Sequence, residues 1–233
     1  MELKKRDKLI IKTLINQDYC FYKDIERKFF VSSSSASHSL KRLIKNAYIC
    51  IEPVSNLKNN KALDDLSFSF LRNNKKALFL GERYKVLRRK KSPWKKTHQL
   101  LLFSVRERLE KLLNEKVFFE NEIKDLKETL YNGRHDPLPD LYVKGKNFKL
   151  AIELELNIKS KRRYFLKMFK YKNSSFTHVL YITAHGKKMD QLIRNFSYGR
   201  YLAISHYMSF EHEIFNKSYG RMSLFDFLKK KMK

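Results

Sequence analysis

Four carboxylates stand close together along the chain, beside two short apolar runs. Asp136 and Asp140 precede the run at residues 141–143, while Glu153 and Glu155 alternate with apolar residues in the run at 150–156. Residues two apart on a β-strand point to the same face, so the two glutamates are expected to project together. Turn-forming residues at 144–147 predict a hairpin between the two runs. The hairpin would gather the acidic side chains.

Two carboxylates on one face of a strand repel each other unless a cation lies between them. Clusters of oxygen ligands suit Mg²⁺ or Mn²⁺. Lys159 follows the second run, where its ammonium group could stabilise charge on a phosphate or orient a water molecule. The alternative is a solvated strand face whose acids pair with local lysines. The clustering of four acids in one hairpin favours the metal site.

The charge of the chain predicts a polyanionic partner. Its 233 residues include 51 Lys and Arg against 24 Asp and Glu, for a net charge of +27, which is more than solubility requires. A membrane surface is the competing polyanion. Because the basic residues are spread along the whole chain, nucleic acid is the better prediction. A hydrophobic content of 42% argues for packed cores and against disorder.

The cysteines and the N-terminus predict a cytoplasmic protein without membrane insertion. Cys20 and Cys50 stand alone in apolar surroundings, without zinc-ligand spacing, and are expected to be reduced core residues. The N-terminal apolar run is interrupted by Lys12 and is too short for a signal peptide or a membrane span.

Three short helices are predicted at the N-terminus, over residues 4–16, 22–29 and from the serine run at 32–35 to about residue 46. The third exposes small polar and basic residues, which is typical of a helix-turn-helix. A flexible low-complexity loop is the alternative for the serine run. The residues of this helix expected to face DNA are Ser34, Ser35, Ser37, His38, Lys41, Arg42 and Lys45.

Strands are predicted at 48–51, 66–70 and 77–80. Strands after the three helices favour the winged form of the helix-turn-helix. A basic run over residues 83–96 follows, and phosphate contacts are expected from Arg88, Arg89, Lys90 and Lys91. Ser92-Pro93 interrupts this run and predicts a domain boundary. The predicted domains are therefore 1–91 and 92–233.

The second half reads as an α/β domain. Helices are predicted at 98–114, 162–171, 187–195 and 224–231. Strands are predicted at 117–119, in the hairpin and at 178–183, and the last strand is predicted at 201–205. A helix crossover between strands permits parallel central strands, so the expected sheet is mixed. The basic segment Lys161, Arg162, Arg163 and Tyr164 is expected to contact DNA.

These residues resemble the restriction-endonuclease-like, PD-(D/E)xK nuclease fold. Pro139-Asp140 matches its Pro-Asp, and Glu153-Leu154-Glu155 matches its (D/E)-x-K, with Glu155 where the family usually has lysine. Lys159 is the candidate replacement. More specifically, the chain resembles the MobC-type plasmid mobilisation relaxases and related replication-relaxation proteins. Their acidic and lysine set is matched in order by Asp136, Asp140, Glu153, Glu155 and Lys159, followed by Ser160, Arg163 and Tyr164.

The resemblance implies a relaxase that nicks double-stranded DNA at a plasmid transfer origin, with a coupling or accessory mobilisation protein as a further partner. Asp140, Glu153 and Glu155 would hold Mg²⁺ or Mn²⁺, and Lys159 would stabilise charge on the phosphate. Asp136 would complete a second metal site or orient the first. Water and Tyr164 are both open as the nucleophile, and packing or a phosphate contact is favoured for Tyr164.

Two other functions remain open. One is a non-enzymatic DNA-binding regulator of replication or transcription whose nuclease-like domain is a scaffold, because Glu155 replaces the lysine. The other is an RNA-binding protein that stacks bases on the basic, tyrosine-rich segment 159–172.

Overall fold

The computed structural model describes residues 2–17, 19–53, 76–81, 83–84, 93–125, 137–157, 159–184, 186–195 and 199–230. These residues divide into two compact units, one ending at Glu107 and the other beginning at Arg108. The division lies inside the helix Pro93–Leu113, later in the chain than the predicted boundary at residues 91–92. That predicted boundary itself lies outside the described residues.

The described part of the first unit contains three complete helices, a small antiparallel sheet and residues 93–107 of the helix Pro93–Leu113. In chain order the elements are α1 Lys5–Gln17, β1 Tyr19–Phe21, α2 Tyr22–Phe29, α3 Ser33–Lys45, β2 Ile49–Pro53 and β3 Lys76–Leu80. The strand order is β1-β3-β2. The three helices lie where the sequence predicts them. Strand β1 was not predicted, and the strand predicted at 66–70 lies outside the described residues.

The serine run begins a helix and is not a loop. Ser32 precedes α3 in extended backbone conformation, and its side chain accepts a hydrogen bond from the Ser35 backbone N–H at 3.3 Å. This is N-capping, which satisfies a helix N–H that has no partner within the helix. Ala36, Leu40 and Leu43 form the buried side of α3. The opposite side is therefore left to solvent.

The second unit is built on a mixed sheet of seven strands among its described residues. After the helix α4 Pro93–Leu113, the elements are β4 Val117–Phe119, α5 Glu120–Asp125, β5 Leu141–Lys144, β6 Lys149–Glu155, α6 Lys161–Lys172, β7 His178–Thr183, α7 Gly186–Asn195, β8 Leu202–His206, β9 Ile214–Asn216, β10 Gly220–Met222 and α8 Leu224–Lys229. Their order across the sheet is β10-β9-β8-β7-β6-β5-β4.

The sheet confirms the predicted mixed α/β class. Strands β4, β5 and β6 pair antiparallel, and β6, β7 and β8 pair parallel. Helices α6 and α7 are the crossovers that parallel neighbours require. The prediction that the strand at 201–205 is the last one is wrong, because β9 and β10 follow it. Both are three residues long, too short to show an alternating pattern.

The predicted hairpin between the two acidic runs is confirmed. Leu141 lies opposite Ile152, and the Gly145 backbone N–H donates to the Phe148 carbonyl across the turn at 3.0 Å. Both faces of β6 are buried, as is usual for a central strand. One face packs against three residues of α6, which are Tyr164, Met168 and Tyr171. That helix therefore covers the face on which the acids lie.

No helix among the described residues is both long enough and apolar enough to cross a membrane.

Both cysteines are free thiols, as predicted. Cys20 is buried in β1, and Cys50 is half-buried in β2.

Candidate active site

Three of the four predicted carboxylates meet on the sheet face beneath helix α6. The pairing of Leu141 with Ile152 places the preceding residue, Asp140, beside Glu153. Glu153 and Glu155 alternate with Ile152 and Leu154 along β6, so they share a face, as the sequence predicts. The two glutamates are only 2% and 3% exposed. Acids at this depth require partners, since burying an unpaired charge is costly.

Glu153 is held by two side chains from helix α6. Lys167 Nζ donates to Glu153 Oε2 at 2.5 Å, and the Tyr171 hydroxyl donates to Glu153 Oε1. Burial, followed by the charge of Asp140, raises the pKa of Glu153 to about 7 against the opposing effects of Lys167 and Tyr171. A carboxyl group with this pKa can exchange a proton near neutral pH.

Lys167 stays protonated beside this carboxylate. Burial is the largest single effect and lowers the pKa of Lys167, but Glu153, Asp140 and Glu155 together raise the pKa above its ordinary value. Lys167 therefore supplies a fixed positive charge to the acidic face.

Glu155 has its own lysine. Lys159 Nζ donates to Glu155 Oε1 from the loop before α6. Burial raises the pKa of Glu155, although the charge of Lys159 opposes the shift. The predicted site residue Lys159 therefore lies at the acidic cluster, where it forms an ion pair with Glu155.

Asp140 is oriented by the neighbouring strand. Its Oδ2 accepts a hydrogen bond from the Leu154 backbone N–H at 2.9 Å. Because Leu154 lies between the two glutamates, this hydrogen bond fixes the Asp140 carboxylate within the acidic cluster. The fourth acid, Asp136, lies outside the described residues, as do the predicted phosphate-contacting residues Arg88, Arg89, Lys90 and Lys91.

Lys167 and Tyr171 were not among the site residues predicted from the sequence. A signal was present, because Tyr164, Lys167 and Tyr171 recur at helical spacing on the side of α6 that also carries Met168. A lysine on an otherwise apolar stripe indicates a buried acidic partner.

Tyr164 does not have the surface position that a DNA contact requires. It is 2% exposed, and its hydroxyl oxygen accepts from the Lys159 backbone N–H at 3.2 Å. Burial, followed by the charge of Glu155, raises the pKa of Tyr164 to about 12. A buried phenol with a raised pKa is a poor nucleophile. Its position is that of a packing residue, which is one of the two roles that the sequence favours, and the predicted DNA contact of Tyr164 is not supported.

The donor atoms of this cluster are of the type that Mg²⁺ and Mn²⁺ prefer. However, no group of three or more His, Cys, Asp or Glu residues in the described part of the chain is arranged to hold a metal ion. Lys167 and Tyr171 engage both oxygens of Glu153, and Lys159 engages one oxygen of Glu155. A divalent cation would therefore have to take the place of a lysine ammonium group.

Some of the residues predicted to face DNA are exposed, and others form contacts within the protein. On α3, Ser34, His38, Lys41 and Lys45 are exposed at spacings that share one helix face, and Ser35 and Ser37 are half-buried beside them. Arg42 instead forms an ion pair with Asp7, which is 1% exposed. Its position makes it a structural residue of the first unit. On α6, Lys161, Arg162 and Arg163 are exposed.

Comparison with known proteins gives no match. No family model, curated protein or solved structure matches this chain.

Proposed function

We propose that this protein binds DNA and nicks it with the help of a divalent cation, Mg²⁺ or Mn²⁺. The observation that carries the proposal is the cluster of Asp140, Glu153 and Glu155 on one sheet face, with two lysines against the glutamates. Carboxylates that hold a hard cation and lysines that stabilise phosphate charge are the groups that phosphodiester cleavage uses.

The first unit supports the DNA-binding part of the proposal. Three helices and a three-stranded antiparallel sheet, with Lys41 and Lys45 exposed on α3, agree with a winged helix-turn-helix. The net charge of +27 gives the electrostatic attraction that phosphate binding requires. In this arrangement α3 would enter the major groove.

The second unit supplies the chemical groups. Asp140 and the two glutamates would hold the cation, which when bound polarises the scissile phosphate. Lys159 and Lys167, now paired with the glutamates, would then be released to stabilise negative charge on that phosphate. Glu153 is the pivotal residue, because it lies beside Asp140 and already has a raised pKa.

The biological setting rests on the resemblance alone. The ordered set of Asp140, Glu153, Glu155 and Lys159 resembles that of MobC-type relaxases and supports a restriction-endonuclease-like domain. A plasmid transfer origin is then the proposed target, the cytoplasm the proposed location, and a coupling or accessory mobilisation protein a further partner. With Tyr164 buried, water is the favoured nucleophile.

A second candidate is a non-enzymatic DNA-binding regulator with a nuclease-like scaffold. The hydrogen bonds of Glu153 favour this second candidate, because Lys167 and Tyr171 already donate to both of its carboxylate oxygens. In that case the lysines permanently neutralise the acids, and the cluster holds helix α6 on the sheet.

Calorimetric titration with Mn²⁺ separates the two candidates. Under the nickase proposal the parent binds Mn²⁺, and Glu153→Gln, which keeps the size of the side chain but removes its charge, weakens that binding at least tenfold. Glu213→Gln serves as the matched control, because Glu213 is exposed on the sheet margin and pairs with Arg221. Mn²⁺ binding equal in all three proteins, or absent from the parent, would favour the regulator.

A further inference from the structure

The outer side of helix α6 carries an exposed apolar patch. Phe165, Leu166 and Phe169 are 60%, 52% and 59% exposed. They lie opposite Tyr164, Met168 and Tyr171, which are buried against the sheet. The tyrosines expected to stack bases are therefore inside the protein, and two phenylalanines on the same helix take the exposed positions.

Basic side chains surround the apolar patch. Six of the twelve residues of α6 are Lys or Arg, and none is acidic. Lys167 turns inward to Glu153, while Lys161, Arg162, Arg163, Lys170 and Lys172 are exposed. Exposed aromatic rings framed by cations of one sign complement a polyanion that also presents flat apolar groups.

We propose that this face of α6, defined by Phe165, Leu166 and Phe169 with the surrounding cations, binds single-stranded nucleic acid. Phe165 and Phe169 are one helical turn apart, so their rings can stack on neighbouring bases of one strand. Exposed Arg162 and Lys170, three residues before Phe165 and one after Phe169, are placed to contact the phosphates. The bases of an intact duplex are already stacked on each other, so the surface selects unpaired ones.

The inference deepens the proposed function and rests on it for the identity of the strand. Helix α6 presents Lys167 to Glu153 on its inner side and the phenylalanines on its outer side. A strand held on the outer side would lie within one helix diameter, about 10 Å, of the acidic cluster. Under the nickase proposal this strand is DNA opened next to the cleavage position.

A membrane surface fits the patch less well. Interfacial helices bury a long apolar face in the lipid, whereas α6 has only three exposed large apolar side chains. Its twelve residues are half basic. The charge thus dominates the surface, and the apolar part is small and mainly aromatic.

Fluorescence anisotropy with a labelled oligothymidylate tests the inference. The titration is done in EDTA, so that binding is measured without cleavage, and a labelled hairpin duplex is titrated in parallel. Phe165→Ala and Phe169→Ala are each expected to weaken single-strand binding about tenfold and duplex binding less than twofold. Phe225→Ala is the matched control, since Phe225 is a 44% exposed phenylalanine on α8.

Leucine substitutions identify the role of the rings. Phe165→Leu and Phe169→Leu keep an apolar side chain but remove the face on which a base stacks, so they are expected to weaken single-strand binding as the alanine variants do. Recovery of binding by leucine would contradict stacking. Single-strand affinity unchanged in the Phe165→Ala, Phe169→Ala double variant would overturn the inference. Loss of binding to phosphatidylserine vesicles, with single-strand affinity unchanged, would overturn it in favour of a membrane.

The result is independent of nicking. If the parent nicks plasmid DNA while the double variant keeps its single-strand affinity, this inference fails and the proposed nickase stands. If the double variant loses single-strand affinity and the parent nicks nothing, the surface stands and the nickase proposal fails. An oligouridylate of the same length is titrated in parallel, to distinguish RNA from DNA. If it binds much more tightly than the oligothymidylate, and if the binding depends on the same phenylalanines, the proposed binding surface is supported and its ligand is RNA.

Discussion

Lys167 Nζ lies 2.5 Å from Glu153 Oε2 and joins the crossover helix α6 to the central strand β6. The lysine side chain is 29% exposed and the glutamate side chain 2%, so a partly accessible cation covers a buried carboxylate. Asp140 stands beside Glu153 in the sheet register. This geometry places one positive charge where two carboxylates converge, and it makes Lys167 the residue that an incoming metal ion would displace.

Removing this lysine should make the protein depend on a divalent cation. Lys167→Met leaves Glu153 buried without its cation, and the free energy of unfolding should fall by about 2 kcal/mol. Mn²⁺ should then raise the melting temperature of the variant by several degrees more than that of the parent, because it restores positive charge beside Asp140 and Glu153. Lys170→Met, an exposed change on the same helix, is the control. Equal Mn²⁺ shifts in the parent and both variants would contradict a metal-accepting cluster.

Glu153 should also make stability depend on pH. Its pKa is raised by burial, and further by Asp140, from 4.5 to about 7 in the folded protein. Between those values the folded state binds the proton more tightly than the unfolded state, so stability falls as pH rises. The loss attributable to Glu153 is on the order of 3 kcal/mol, and Glu153→Gln should remove that part of the slope. Urea denaturation from pH 4.5 to 8 measures it, and parallel profiles for parent and variant would show that Glu153 does not titrate in this range.

The sequence predicted those parts of the fold that local patterns determine. The alternation around Glu153 and Glu155 and the turn at 144–147 were enough to place the hairpin and the shared face of the two acids. The three-residue strands β1, β9 and β10 were missed, because three residues are too few to show a period. Strand β4 is equally short and was predicted from its β-branched and aromatic residues alone. Patterns of this kind extend over one element only.

The partners of the acids depend on tertiary packing. Lys167 and Tyr171 are 14 and 18 residues from Glu153, and only the way α6 lies on the sheet brings them together. The same packing decides that Tyr164 is buried while Phe165 is exposed, although the two are adjacent in the sequence. A basic, aromatic helix can be recognised from its composition, but which aromatic side chains face solvent depends on the sheet beneath it.

Two neighbouring residues of α3 should respond differently to substitution. Arg42→Met removes the ion-pair partner of buried Asp7 and should lower the free energy of unfolding by about 2 kcal/mol. Lys41→Met, at an exposed position, should leave stability within about 0.5 kcal/mol. It should instead lower duplex DNA affinity and reduce the slope of log K against log salt by about 1.

Urea denaturation and anisotropy at several salt concentrations measure both effects. Lys12→Met, an exposed change on α1, is the control for the loss of one charge. If Lys41→Met and Lys12→Met reduce the salt slope equally, α3 is not the helix that contacts the phosphates.

Nicking of supercoiled plasmids tests the proposed function most directly. The parent, Glu153→Gln and the exposed control Glu213→Gln are incubated with plasmids that carry or lack the DNA neighbouring the protein's own gene, in Mg²⁺, Mn²⁺ or EDTA. Open circles should form on the cognate plasmid only, with metal only, and at least a hundredfold more slowly with Glu153→Gln than with the parent or Glu213→Gln. A clear gel shift with no open circles under any condition would contradict the nickase and identify the DNA-binding regulator.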